Sequence, residues 1–186
     1  MIITNKIETL TKQQSTLLSI SIAFVGSILL TLLARLSIPV PFSPVPITGQ
    51  TFGILFLGAV LGKRNGTLSV IMYISEGLIG LPVFAGGSMG FLYLLGPTGG
   101  YLIGFIPAVF VVGYLSEKGF CNRISTTFLT MLLGTAVIFS FGLSWLAITA
   151  GLITAFSIGL YPYLIGAGIK IALATVIISS INKITK

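Results

Sequence analysis

The chain has 186 residues, of which 55% are hydrophobic and only 7% charged, and its mean hydropathy is +1.11. Water-soluble domains carry roughly 25% charged residues, so the composition excludes an ordinary soluble domain and indicates a polytopic membrane protein. The chain has no histidine, no aspartate and one cysteine, Cys121, which removes the usual residues of hydrolytic, redox and metal catalysis, so we expect no cofactor.

The net charge of +7 would suit a nucleic-acid partner only if the basic residues clustered on one water-facing surface. Eight of the ten basic residues lie instead in every second loop between the apolar spans, namely Lys6, Lys12, Lys63, Arg64, Lys118, Arg123, Lys183 and Lys186. This is the positive-inside pattern of membrane proteins. It predicts that both termini lie in the cytoplasm, that the chain crosses the bilayer an even number of times, and that it has no nucleic-acid partner.

The first half of the chain divides into a tail, a helix, a proline-rich segment and two short helices. Residues 1–16 are polar and are expected to form a cytoplasmic tail, and residues 17–182 a single membrane domain that begins with a helix over 17–36. Four prolines in residues 39–46 exclude a regular helix there. Helices are predicted over 48–61 and 66–81, joined by a basic turn.

The second half begins with a stretch, residues 81–96, that is too apolar for a free loop and is broken by Gly86, Gly87 and Gly90. Non-helical backbone at membrane depth persists only where protein or a water-filled cavity covers it, so this stretch is expected to line a site. Further helices are predicted over 97–115, with Pro97 in its first turn, over 125–146 and over 158–182, the last two joined by an apolar outer connection. The result is an all-α integral membrane bundle of six transmembrane helices.

Three charged residues fall inside the apolar spans, where a charge at the bilayer centre costs roughly 2.5 to 3.5 kcal/mol. Lys170 lies near the middle of the sixth predicted helix. It either reaches an interface or pairs with Glu76, or it is a cation that awaits an anionic substrate. Glu76 could be that partner, a proton site or a residue at the lipid headgroups, and we favour the last. Arg35 ends the first helix and is expected to be an interfacial anchor.

The start of the fourth helix could also face a ligand. It follows a broken segment, so its free N–H groups and the hydroxyls of Thr98 and Tyr101 would suit a carbonyl or carboxylate. Gly96, Gly100 and Gly104 recur at four-residue intervals and predict close packing against another helix. Aromatic residues that could wall a flat apolar ligand, or simply fill the core, are Phe84, Phe91, Tyr93, Trp145 and Tyr163.

Three segments together carry a resemblance to a known family. They are PVPFSPVPITGQT at 39–51, GLPVFAGG at 80–87 and GPTGGYLIGF at 96–105. In order and spacing they resemble BioY, the substrate-binding membrane subunit of biotin transporters of the energy-coupling factor (ECF) type. The resemblance implies a multi-pass protein of the bacterial cytoplasmic membrane, not an enzyme, that holds biotin in an outward-facing pocket lined by its broken or re-entrant loops. It also implies partner subunits, namely an energy-coupling transmembrane protein and two ATPases.

The resemblance also implies site residues. The family's sixth helix usually carries an aspartate followed, three residues later, by a lysine; this chain keeps Lys170 but has Ala167 where the aspartate would lie. The ureido N–H groups of biotin are then expected to meet backbone carbonyls or another side chain such as that of Gln50. The full set of expected substrate contacts is Lys170, Tyr101, Thr98, Gly86, Gly87, Phe84, Gln50, Tyr163 and Ala167. Segments 37–50 and 82–96 are expected to form the lid and floor of the pocket.

Three other readings of the sequence stay open at this stage. The departure at Ala167 allows a subunit of the same kind for another vitamin or small carboxylate. Lys170 with a serine or threonine could serve an intramembrane enzyme. A structural membrane partner, whose charges only set its topology, is the third.

Overall fold

The computed structural model describes residues 12–184, with side chains described from residue 16 onward. Its elements in chain order are α1 (Lys12–Arg35), β1 (Ser37–Val40), β2 (Ser43–Thr48), α2 (Gln50–Leu78), α3 (Phe91–Leu95), α4 (Gly99–Glu117), α5 (Ile124–Ala150), α6 (Leu152–Gly159) and α7 (Leu164–Ile184). Residues 1–11 of the predicted tail lie outside the described residues. The rest of the predicted tail belongs to α1, which begins at Lys12. The predicted all-helical membrane fold is confirmed, with five segments in the described residues long and apolar enough to span a bilayer.

Helix α2 contains two of the predicted helices, because the chain reverses at Gly62, whose φ of 76° lies outside the helical region. A β-carbon at Gly66 would lie 3.4 Å from the Cα of Gly58, whereas a straight helix separates residues eight apart by about 12 Å. The side chain of Gln50 likewise bonds to that of Tyr73, 23 residues away. The arms 50–61 and 63–78 therefore lie side by side, which brings the membrane helices to the predicted six.

The proline-rich segment forms a two-stranded antiparallel ribbon, which the sequence did not predict. Ser37 pairs with Thr48 and Ile38 with Ile47, and the register shifts between Ile38 and Val40. The shift coincides with Pro39, which has no N–H to contribute to the ladder. Proline is tolerated here because both strands of a two-stranded ribbon are edge strands.

The segment that follows α2 is broken, as predicted. Gly80, Gly86, Gly87 and Gly90 all have positive φ, a conformation in which a side chain is strained. The Arg35 guanidinium donates a hydrogen bond of 2.7 Å to the carbonyl of Pro82, which ties this segment to the end of α1. Arg35 is thus an anchor for the broken segment, although its side chain remains exposed.

Two boundaries in the second half differ from the prediction. Helix α4 begins at Gly99 after an N-cap at Thr98, so Pro97 precedes the helix rather than lying in its first turn. The connection after α5 is largely helical, since it contains α6 and a 3₁₀ turn over Tyr161–Tyr163. The last helix consequently begins at Leu164, six residues later than predicted, because Pro162 interrupts a helix that would otherwise start earlier.

Glycines allow the helices to pack closely in the predicted manner. A β-carbon at Gly104 would lie 2.8 Å from that of Phe141, and one at Gly100 would lie 2.7 Å from the carbonyl oxygen of Phe141, so α4 approaches α5 along this face. Gly96 lies before the helix, and its carbonyl accepts a 3.0 Å hydrogen bond from the indole N–H of Trp145 on α5. The outward faces are apolar, with Ile165 80% exposed and Ile169 64% exposed, as expected for surfaces that contact lipid.

Candidate functional site

A cavity of about 750 Å³, counted with its opening, lies between the ribbon, the start of α2, α4, α5 and α7. Its walls are formed by Val45, Pro46, Ile47, Thr48, Gln50, Thr51, Leu55, Ala85, Tyr93, Thr98, Tyr101, Leu102, Phe105, Thr135, Ile138, Phe139, Tyr163, Ala167 and Lys170. Apolar and aromatic side chains predominate, with a few polar groups among them.

Lys170 is a cation in the cavity wall without a carboxylate beside it. Its Nζ donates a 2.9 Å hydrogen bond to the Thr51 hydroxyl, and none of the lining residues is acidic. Between residues 16 and 184 the one ion pair joins Lys63 to Glu117. An ammonium has three N–H donors, so two remain for a ligand.

The possible pairing of Lys170 with Glu76 is wrong. Glu76 lies half-buried against α1 and accepts a 2.9 Å hydrogen bond from the hydroxyl of Ser27, a residue that is fully buried. The carboxylate therefore has a protein partner on α1 and does not line the cavity.

Gln50 lies in the cavity wall and is held from behind by Tyr73. The carboxamide nitrogen of Gln50 donates to the Tyr73 hydroxyl, and this hydroxyl donates to the carbonyl of Val83 at 3.1 Å. Tyr73 is fully buried and Gln50 is 4% exposed. The two bonds connect the cavity wall to the broken segment after α2.

The hydroxyls of Tyr101 and Tyr163 are used to build the walls. Tyr101 donates to the carbonyl of Gly159 at 2.7 Å, which holds α6 against the start of α4. Tyr163 donates to the carbonyl of Val45 and lies 2.7 Å from the Ser43 hydroxyl, so it holds the ribbon over the cavity. Their rings face the cavity while their single protons are already committed to the backbone.

The structure brings most, but not all, of the expected contact residues to this cavity. Those in its wall are Lys170, Tyr101, Thr98, Gln50, Tyr163 and Ala167. Phe84, Gly86 and Gly87 do not line it: Phe84 is fully buried between the rings of Tyr73 and Tyr93, and Gly87 packs against Arg35. Segment 82–96 contributes Ala85 and Tyr93 to the wall, and the ribbon contributes Val45–Thr48.

Sequence reasoning missed several lining residues. Thr51, which binds Lys170, directly follows Gln50 in the first motif. This position in the motif could have identified Thr51 as a lining residue. Thr135 and Phe139 lie four residues apart and share one face of α5. No signal could have selected that face, because every face of a membrane helix is apolar and the hydrophobic period carries little information.

The comparisons with known proteins agree with this architecture. The model of the BioY family matches residues 8–186. The chain belongs to the BioY family. Its relatives include a probable biotin transporter BioY of Pyrococcus horikoshii, 41% identical over 75% of this chain and 82% of the relative. The biotin transporter BioY of Rhizobium etli is 38% identical over 73% of this chain and 77% of the relative.

A solved structure also matches. The crystal structure of the S-component for biotin from an ECF-type ABC transporter has a TM-score of 0.81 and 30% identity, and the match covers 94% of this chain and 95% of the other. The BioY relatives are named as transporters, and membership of their family sets aside the reading of Lys170 and a neighbouring hydroxyl as an intramembrane enzyme. The close approach of Lys170 to Thr51 is instead part of a cavity wall.

Proposed function

We propose that this BioY-family chain binds biotin and is the S-component of an ECF-type transporter that takes biotin up across the cytoplasmic membrane. The observation that carries the proposal is a cavity with apolar walls and one cation, Lys170, that has no carboxylate partner among the lining residues. A site of this kind favours a mostly apolar ligand with one anionic group.

The parts of biotin correspond to the parts of the cavity. The valerate carboxylate accepts hydrogen bonds from the two remaining donors of Lys170. The sulfur ring and alkyl chain contact the aromatic and aliphatic wall, which includes Phe105, Tyr101 and Phe139. The ureido ring needs both donors and acceptors, and Gln50 and Thr98 are the polar groups offered for it. Phe84, Gly86 and Gly87 serve the site from behind the wall, by supporting Tyr93 and Ala85.

The charge pattern supports an outward-facing cavity with both termini in the cytoplasm. The cavity lies at the starting ends of α2, α4 and α7, whereas Lys63, Lys118 and Lys183 lie at the reversal of α2 and the far ends of α4 and α7. Basic loops mark the cytoplasmic side, so the opposite end, which holds the cavity and the ribbon, faces outward.

The partners we propose are an energy-coupling transmembrane protein and two ATPase subunits. The chain itself carries no phosphate-binding loop of the GxxxxGK[ST] type. We therefore assign the ATP hydrolysis that drives accumulation of biotin to these partner chains. Uptake in cells that carry this chain with and without such a module tests the assignment, and equal accumulation in both would contradict it.

Equilibrium binding of labelled biotin to detergent-purified protein tests the ligand, with unlabelled biotin, biotin methyl ester and thiamine as competitors. We expect displacement by biotin, weaker displacement by the ester because it lacks the negative charge, and none by thiamine. Absence of biotin binding in folded protein would refute the proposal. It would point to another vitamin or small carboxylate, the alternative raised by Ala167 in the wall.

A further inference from the structure

A ureido ring requires acceptors for its N–H groups, and Gln50 carries the one side-chain carbonyl oxygen among the described residues that line the cavity. Biotin presents two ureido N–H groups, and a buried donor left without an acceptor costs roughly 1 to 3 kcal/mol. Ala167 offers no side-chain acceptor, and no acidic residue lines the cavity. The hydroxyls of Tyr101, Tyr163 and Thr135 donate their protons to backbone carbonyls, so each keeps only the lone pairs of a hydroxyl oxygen for a ligand.

The orientation of the Gln50 carboxamide follows from the bonds of Tyr73. A phenol has a single proton, and a carbonyl oxygen can only accept. The proton of Tyr73 goes to the carbonyl of Val83, so the phenol oxygen must accept from Gln50, and the amide nitrogen of Gln50 must face Tyr73.

The reversed orientation would leave a buried group without a partner. If the oxygen of Gln50 faced Tyr73, the phenol proton would serve that oxygen, and the carbonyl of Val83 would lose its donor. Val83 is 8% exposed, and among the described residues its carbonyl accepts a hydrogen bond from the hydroxyl of Tyr73. The cost of an unsatisfied buried carbonyl therefore holds the carboxamide in the observed orientation.

We infer that Tyr73 is a positioning residue, which holds the carboxamide oxygen of Gln50 toward the cavity as the acceptor for a ureido N–H. This inference rests on the proposed binding of biotin. It assigns to Gln50 the role of hydrogen-bond acceptor, which Ala167 cannot fill. It also makes recognition depend on Tyr73, which is not in the cavity wall. The site then selects ligands that present an N–H donor at this point.

The test measures selectivity rather than affinity alone. The probes are biotin and its two derivatives methylated on one or the other ureido nitrogen, and the variants are Gln50→Ala and Tyr73→Phe. The wild type should bind biotin at least about threefold to tenfold more tightly than one methyl derivative, as expected for one hydrogen bond. Gln50→Ala, which also makes room for the methyl group, should abolish this preference.

Tyr73→Phe should reduce the preference by weakening biotin binding, while binding of the methyl derivative changes less than about twofold. The ring that packs edge-on against Phe84 is kept in this variant, so the fold is preserved, and a thermal unfolding midpoint checks it. The matched control is Tyr114→Phe, at the other end of the bundle beside Lys63 and Lys118, which should leave both affinities unchanged.

The outcomes separate the inference from the proposal on which it rests. A wild type that binds biotin but does not discriminate against either methyl derivative would overturn the inference and leave the proposed function standing. Discrimination that survives unchanged in Tyr73→Phe would do the same, because recognition would then not depend on Tyr73. A folded wild type that does not bind biotin would overturn both.

Discussion

Replacement of Lys170 by methionine should weaken biotin binding strongly. Methionine has a similar length and no charge, so it removes the ammonium that lies 2.9 Å from the Thr51 hydroxyl while it keeps most of the packing. A hydrogen bond to a charged group contributes roughly 1.5 to 3 kcal/mol. The dissociation constant should therefore rise by about 10-fold to 150-fold.

The same substitution should not destabilise the ligand-free protein. Lys170 is half-buried in an apolar span and has no carboxylate partner in the cavity wall. A charge near the bilayer centre is costly, and its removal recovers part of that cost against the loss of one bond to Thr51. We expect a thermal unfolding midpoint that is unchanged or higher, so that affinity and stability move in different directions.

The assay compares labelled biotin binding by wild type, Lys170→Met and Lys183→Met in detergent. Lys183 is a matched control because it is an exposed lysine on the same helix, about 20 Å further along its axis. Biotin affinity unchanged in Lys170→Met, or reduced equally in Lys183→Met, would refute the assignment of Lys170 to the site. A loss of affinity that accompanies a lower unfolding midpoint would show that the residue acts through the fold.

Two further predictions concern the packing behind the cavity wall and the bond that holds the ribbon. Gly77→Ala should lower the free energy of unfolding by about 1 to 3 kcal/mol, because the new β-carbon would overlap the ring of Phe84. Gly168→Ala, with nothing within 4 Å of the new β-carbon, should be neutral or stabilising in a comparison of unfolding midpoints; an equal loss in both would contradict this packing. Tyr163→Phe should speed biotin dissociation several-fold, since it removes the bond that holds the ribbon at Val45, and an unchanged dissociation rate measured by chase with unlabelled biotin would show that the ribbon does not retain the ligand.

Local features of the fold could be predicted because each depends on a short stretch of chain. Hydropathy located the spans, four prolines in 39–46 excluded a helix there, and glycines in 81–96 marked broken backbone. The ribbon escaped prediction because proline is rare in sheets and is tolerated mainly in edge strands, which both strands of this ribbon are. The late start of α7 escaped because α6 occupies residues that had the hydropathy of a continuous helix.

Some residues of the site could be predicted from the sequence, and others were placed wrongly. Lys170 was identified because a charge inside an apolar span is conspicuous, and Gln50 because it is a polar residue at the end of the proline-rich segment. Phe84 and Gly87 were expected in the wall because they belong to a motif, yet they pack behind it against Tyr73 and Arg35. Membership of a motif shows that residues are close in sequence, and it does not show which side of a segment faces the cavity.

The sequence by itself determined that the chain lies in a membrane, how many helices form the membrane bundle and that one cation lies inside it, because composition and covalent constraints on the backbone decide these. The family was indicated by the resemblance of three motifs. Only the tertiary structure decided that Lys170 bonds to Thr51 rather than to Glu76, and that Tyr73 orients Gln50. These partners lie 23 to 119 residues apart in the chain. Hydrogen bonds of this kind depend on which faces of uniformly apolar helices meet, and no periodicity in the sequence records that choice.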